Sequence, residues 1–316
     1  MHEPTYRQAL SHAWQAVWHH KIIWIFGLLS IFVGQFGAND FIGKIWMVAQ
    51  RTLAFGKFQG LVNLDWKTEL GLVWIALIAV GILLLVIFVS TIAQGALITS
   101  AAHSLRQQNI NFTKAWHRGA EHFLPLLLTN ILRTIAMTII IVVTGYAWTF
   151  LVFSHLPALL SSLLSIIIFS TALFLGLSIS SWSAYTLCYS VLDGKGFWSA
   201  LKRGWGLFHH HLLVSLEMNI ILFIILIGLS ALLYGLFLLS AAPALILWLI
   251  AGLTGYLKLI TFGLILWSGF VFLLIALSGA LYNCFSVCVW VYLFLKMHNE
   301  GIASRIFHYF KKITGR

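Results

Sequence analysis

YRQALSHAW (residues 6–14), FTKAWHRGA (112–120) and FWSALKRGW (197–205) are three versions of one pattern, and each leads into a long apolar stretch. Numbered from its first aromatic, the first copy places Tyr6, Ala9, Leu10, Ala13, Trp14, Val17 and Trp18 at offsets 0, 3, 4, 7, 8, 11 and 12. The second sets Phe112, Ala115, Trp116, Gly119, Ala120, Phe123 and Leu124 at the same offsets. The third gives Phe197, Ala200, Leu201, Gly204, Trp205 and Phe208, and His209 breaks the last position. This spacing is one stripe of an α-helix. The other faces carry Arg7, Gln8, Ser11 and His12, then Lys114, His117 and Arg118, then Lys202 and Arg203. An apolar stripe opposite a basic face describes a helix lying in the headgroup layer of a membrane.

Composition gives the same solvent. The 316 residues are 61% hydrophobic and 9% charged, with a mean hydropathy of +0.97. A soluble domain carries roughly 25% charged residues, so lipid must face most of this chain. Apolar runs fall near 22–38, 71–98, 123–153, 157–190, 211–239 and 263–295. A span needs about 20 residues, and only the first run is short. A seventh run, 241–262, holds Pro243, Gly252, Gly255 and Lys258 and is expected to be external or re-entrant. The first run is expected to be a retained span. It begins only at Ile22, and Phe36-Gly37-Ala38 is a poor cleavage site for a secretory leader.

Six spans place 13 of the 19 Lys/Arg on one side: Arg7, Lys21, Arg106 and the basic residues of 114–118, 195–203 and 296–316. Lys44, Arg51, Lys57, Lys67 and Lys258 fall on the other side, and Arg133 lies inside a span. The positive-inside rule then predicts that both termini are cytoplasmic. Trp46, Trp66, Trp74, Trp148 and Trp248 fall near the outer boundary, where an aromatic belt belongs.

The expected fold is an all-α polytopic transmembrane helix bundle of about six spans in three similar units, each opened by an interfacial amphipathic helix. Unit one covers 1–105 with a long external loop at 39–70, and unit two covers 106–192. Unit three covers 193–298 with the external or re-entrant stretch 240–262, and a basic cytoplasmic tail follows at 299–316. Gly95-Ala96-Leu97 and Gly279-Ala280-Leu281 echo one another in returning spans.

Val191-Leu192-Asp193-Gly194-Lys195-Gly196 precedes Phe197, Ala200, Leu201, Gly204 and Trp205, and Gly279-Ala280-Leu281-Tyr282 comes late. In these motifs the chain resembles the membrane domain of bacterial glycerophosphodiester phosphodiesterases and related uncharacterised six-span inner-membrane proteins. The resemblance implies an architecture and a bacterial inner membrane. In those phosphodiesterases catalysis belongs to a separate soluble barrel, for which these 316 residues leave no stretch, so hydrolysis is not implied.

Two charges lie well inside spans. Arg133 stands at offset 21 of the second copy and Glu217 at offset 20 of the third, with Asn130 and Asn219 beside them. A lone charge near a span centre costs about 2.5–3.5 kcal/mol on insertion scales, so two opposite charges at one depth suggest mutual neutralisation. This intramembrane polar site reads either as a structural ion pair or as a seat for an anionic or zwitterionic ligand.

Twelve of the 13 histidines lie on or beside the cytoplasmic boundary, and His155 is the exception. No carboxylates converge on them, so they are expected to be interfacial and not a metal site. Cys188, Cys284 and Cys288 sit in apolar surroundings without CxxC spacing and read as buried hydrophobes. Gly27, Gly34 and Gly37, and Ser161, Ser162, Ser165 and Ser170, read as close helix packing. HExxH, a phosphate-binding loop and a Ser/His/Asp set are absent from the sequence.

The expected function is therefore non-catalytic, without cofactor or metal: a membrane-organising or accessory protein. Its partners are membrane lipids, anionic on the cytoplasmic face, and another membrane protein, but not nucleic acid. Arg7, Lys114, Arg118, Lys202, Arg203, Lys311 and Lys312 form the anionic-lipid interface. The alternative is a permease or lipid transporter working through Arg133 and Glu217.

Overall fold

The computed structural model describes residues 5–31, 66–106, 108, 111–153, 157–254 and 256–300. Lys311 and Lys312, residues 32–65 with most of the expected external loop and the far end of the first apolar run, and His155 lie outside the described residues. Within them the chain forms nine helices: α1 (Thr5–His19), α2 (Ile22–Ser30), α3 (Trp66–Leu105), α4 (Phe112–Glu121), α5 (Phe123–Phe153), α6 (Ala158–Leu192), α7 (Phe197–His210), α8 (Leu212–Thr254) and α9 (Leu257–Glu300).

Five helices are long and apolar enough to cross a membrane, over Val80–Leu105, Phe123–Phe153, Leu159–Leu192, Leu212–Thr254 and Lys258–His298. α2 is the described part of the run at 22–38 and has nine residues.

Each patterned stretch forms its own short helix, α1, α4 or α7, and a break separates it from the helix that follows. Asn111 caps α4 by accepting from the Thr113 N–H at 3.1 Å, which satisfies one of the orphan donors of the first turn. α4 ends at His122 and α7 at His211, both with non-helical backbone. Between α6 and α7 the turn passes through Gly194 at φ +63, a conformation that needs glycine, and the Lys195 N–H reaches back to the Tyr189 carbonyl at 3.4 Å.

The helices pair along the chain, α2 with α3, α5 with α6, and α8 with α9. Their returning members α3, α6 and α9 also pack on one another, and there the core sits. Residues 90–104, 180–191 and 283–294 are almost entirely buried. The largest enclosed side chains include Trp290, Tyr185 and Phe294.

Away from that end the hairpins expose apolar residues such as Leu84, Val143, Ile167, Leu249 and Phe272. Only hydrocarbon tolerates so large an apolar surface. A small second cluster, Met137, Ile141 and Ala172, ties α5 to α6 there.

Within 240–262 the described residues form the last turns of α8 and the first turns of α9. Pro243 lies inside α8 and removes one backbone donor. The helix nevertheless continues, with α9 packed alongside. The Trp267 indole donates to Ser240 Oγ at 3.1 Å, and Gly263 lies against Leu247. At 1.5 Å per residue the 43 residues of α8 rise about 65 Å, roughly twice the hydrocarbon thickness.

Candidate functional site

The stripe on the short helices divides in two. Its small residues, Ala9 and Ala13, Ala115 and Gly119, Ala200 and Gly204, are buried against protein. Two of its tryptophans turn outward, Trp14 58% exposed and Trp205 50%, whereas Tyr6 and Phe208 are buried with the small residues. Small side chains let backbones meet, and that contact holds each short helix to a returning one, α4 on α3, α7 on α6 and α1 on α9. A Cβ on Gly119 would collide with the Ile92 carbonyl and stand 2.9 Å from the Ala96 nitrogen. A Cβ on Gly204 would stand 2.6 Å from Thr186 Oγ1 and 3.0 Å from its backbone nitrogen. On α1, Gln8 accepts from Lys296 Nζ at 2.8 Å, and His12 stacks on Tyr292 with ring centroids 5.4 Å apart. Because α3, α6 and α9 converge where they are buried, the three short helices share one end of the bundle.

Beneath them, side-chain amides bridge the long helices. Asn130 of α5 donates to Gln94 Oε1 of α3 at 2.6 Å. Asn219 of α8 donates to Ser181 Oγ of α6 at 2.5 Å and to the Leu177 carbonyl at 3.3 Å. Asn283 of α9 donates to Ser30 Oγ of α2 at 2.8 Å and to the Gly27 carbonyl at 3.2 Å. Each bridge leaves the asparagine oxygen without a hydrogen-bond partner among the described residues. Such half-satisfied bridges are worth about 0.6 kcal/mol on average in a membrane. We expect Asn219→Leu alone to cost about 1 kcal/mol in detergent unfolding, because it removes the donations to Ser181 Oγ and the Leu177 carbonyl, although the Ser181 hydroxyl keeps its own bond to that carbonyl. Asn219→Leu with Ser181→Ala should cost less than the sum of the two single changes; a double change as costly as that sum refutes the bridge.

The two intramembrane charges stand on different helices with different principal neighbours. Arg133, on α5, is buried one turn beyond Asn130. Glu217, on α8, is half-buried and accepts a short hydrogen bond from the Tyr6 hydroxyl of α1. α5 packs on α6, α3 and α7, whereas α8 packs chiefly on α9 and α6. The Tyr6 contact joins residues 211 apart, and no sequence spacing announces it.

At the shared end Arg7, Lys114, Lys202 and Arg203 are exposed. Arg118 is also exposed, but its guanidinium caps the end of α6. Nε donates to the Val191 carbonyl and Nη2 to the Leu192 carbonyl, both at 3.2 Å, where a cation complements the helix dipole. Two cavities, of about 440 and 130 Å³, meet at Thr99, His103 and Arg118.

Three of the short-helix histidines bond backward one turn. His12 Nδ1 lies 2.7 Å from the Gln8 carbonyl, His19 Nδ1 3.1 Å from that of Gln15, and His122 Nδ1 3.0 Å from that of Arg118. A carbonyl only accepts, so Nδ1 carries the proton in each, and the acceptor of His122 is a last-turn carbonyl of α4. Among the described residues no three His, Cys, Asp or Glu converge as a metal site would need. Cys188, Cys284 and Cys288 are buried free thiols. Gly27 packs tightly, since a Cβ there would collide with Cys284 Sγ. The serines expected to pack do not all do so. Ser162 and Ser170 are exposed, and the buried serines of α6 are Ser180, Ser181, Ser183 and Ser190, where the returning helices converge.

Among the described residues, nine helices, five of them fit to span, define a multi-pass membrane protein. No protein-family model, curated protein or solved structure matches the chain.

Proposed function

We propose that this is a non-catalytic organiser of the bacterial inner membrane, built as six spans in three similar units with both termini cytoplasmic. The observation that carries the reading is the shared end. There α1, α4 and α7 are held by small-residue seams, while Arg7, Lys114, Lys202 and Arg203 stand exposed beside Trp14, Trp198 and Trp205. Cations and indoles side by side suit the headgroup layer of an anionic leaflet, at about 1 kcal/mol per basic residue near it. The units follow from the repeated placement of a short helix on a returning helix, and the first span completes the count. The likeness to the membrane domain of glycerophosphodiester phosphodiesterases belongs to the same proposal. The Asp193-Gly194-Lys195 turn, one of its motifs, sets where α7 begins.

The permease or lipid-transporter reading rests on one observation, the burial of Arg133 inside an apolar span, where an ionisable residue is costly. The organiser reading accounts for more of the surface.

Purification of the full chain from mixed phosphatidylglycerol and phosphatidylethanolamine membranes tests the proposal. Phosphatidylglycerol should be enriched in the purified protein. Neutralising Arg7, Lys114, Lys202 and Arg203 together should remove the enrichment without loss of fold. Single cysteines at 114 and 202 should both react from the cytoplasmic side. Unchanged lipid composition, or reaction from opposite sides, refutes it.

A further inference from the structure

α1 and α8 both pack on α9 but leave an open groove of about 510 Å³ between them. One wall is Leu10 and Trp14 of α1; the other is Ile221 and Ile225 of α8, with Phe285 of α9 as floor. Arg7 and Ser11 stand at its polar rim, both exposed. The Tyr6–Glu217 hydrogen bond bridges α1 to α8. The corresponding place beside α7 is filled, because α7 packs directly on α5, the hairpin partner of α6.

We propose that this groove holds one anionic phospholipid, with an acyl chain along Leu10, Trp14, Ile221, Ile225 and Phe285 and its phosphate at Arg7 and Ser11. Three observations select that occupant. Ile221 and Ile225 lie within a segment apolar enough to span, so the mouth opens toward hydrocarbon. Among the described residues no acidic side chain lines the groove, the neighbouring Glu217 carboxylate accepting from the lining Tyr6, and the lining cation Arg7 stands at the rim with a hydroxyl donor one helical turn away. The apolar walls offer almost nothing to a peptide backbone, whose unpaired amides would be costly there, whereas an acyl chain has no polar group to satisfy. The volume lies within the range of about 300–1,000 Å³ of ordinary ligand sites.

This deepens the lipid-binding reading and rests on it. The test uses the full chain in phosphatidylcholine nanodiscs doped with phosphatidylglycerol that carries a photoreactive diazirine on one acyl chain. After irradiation, peptides holding residues 10–14 and 221–225 should be labelled above the exposed outer residues Ile246 and Leu249. Ile225→Trp fills the groove and should lower its label to the outer level while leaving the outer label unchanged. Ile221→Trp replaces it if that protein fails to fold. Arg7→Gln should weaken groove labelling about fivefold, the share of one basic residue near an anionic leaflet. It should also erase the preference over a phosphatidylcholine probe. Groove label equal to the outer level, or indifferent to both tryptophans, overturns the assignment. If phosphatidylglycerol still co-purifies in that case, the groove alone is wrong; if it does not, the lipid-binding reading fails too.

Discussion

Gly119→Leu should unfold the short-helix end of this protein, while Gly206→Leu should leave it intact. Both glycines lie on short amphipathic helices, Gly119 on the repeated stripe and Gly206 off it, and the space at each sets the size of the difference. Gly119 faces the backbone of α3, with the Ile92 carbonyl and the Ala96 nitrogen in the way of any side chain, whereas nothing lies within 4 Å of a Cβ at Gly206. A flexible side chain could move aside, but backbone inside a helix cannot. The loss for Gly119→Leu should therefore reach or exceed the top of the about 1–3 kcal/mol that overpacking usually costs. Gly119→Ala should fall between. Thermal midpoints in detergent, with the folded fraction from gel filtration, read this out. Equal losses at the two sites would mean that α4 does not seat on α3 as described.

Tyr6→Phe should be the next most damaging single-atom change. The Tyr6 ring is buried and its hydroxyl donates to the half-buried Glu217 carboxylate, so the phenylalanine keeps the packing and removes only the donor. A hydrogen bond to a charged group contributes about 1.5–3 kcal/mol, and much of that should be lost. Glu217→Gln keeps an acceptor and removes the charge, so Tyr6→Phe made on that background should cost clearly less. A double-mutant cycle on detergent unfolding measures the difference. Additive losses would show that the two side chains act independently. Limited proteolysis near α1 should report the same weakening as early cleavage.

The repeated stretch makes the helices legible, because its spacing fits only a helical stripe, and the apolar runs locate the long helices. Burial within the stripe is not legible. Ala13 and Trp14 count alike as apolar, yet the first is buried and the second exposed. What separates them is size at a close helix contact. Gly27 was recognisable as a packing residue for that reason. Which serines of α6 pack is not legible, because where hairpins converge is a tertiary fact. Polar partners are harder still. Asn130 and Asn219 stand out as polar residues in apolar spans, but Gln94 and Ser181 become their partners only through helix order. Arg133 and Glu217 share a depth that the sequence makes visible, but that Glu217 accepts from the phenol of Tyr6 it does not. Histidine was conspicuous by number, and its work on carbonyls one turn back follows from helix geometry.

The seat of α1 on α9 has a consequence for biogenesis. Gln8 receives hydrogen bonds from Tyr292 and Lys296, 284 and 288 residues downstream. α1 thus docks on a helix synthesised long after it. Until α9 emerges, the alanine seam of α1 lacks that mate, and the nascent bundle waits unlatched.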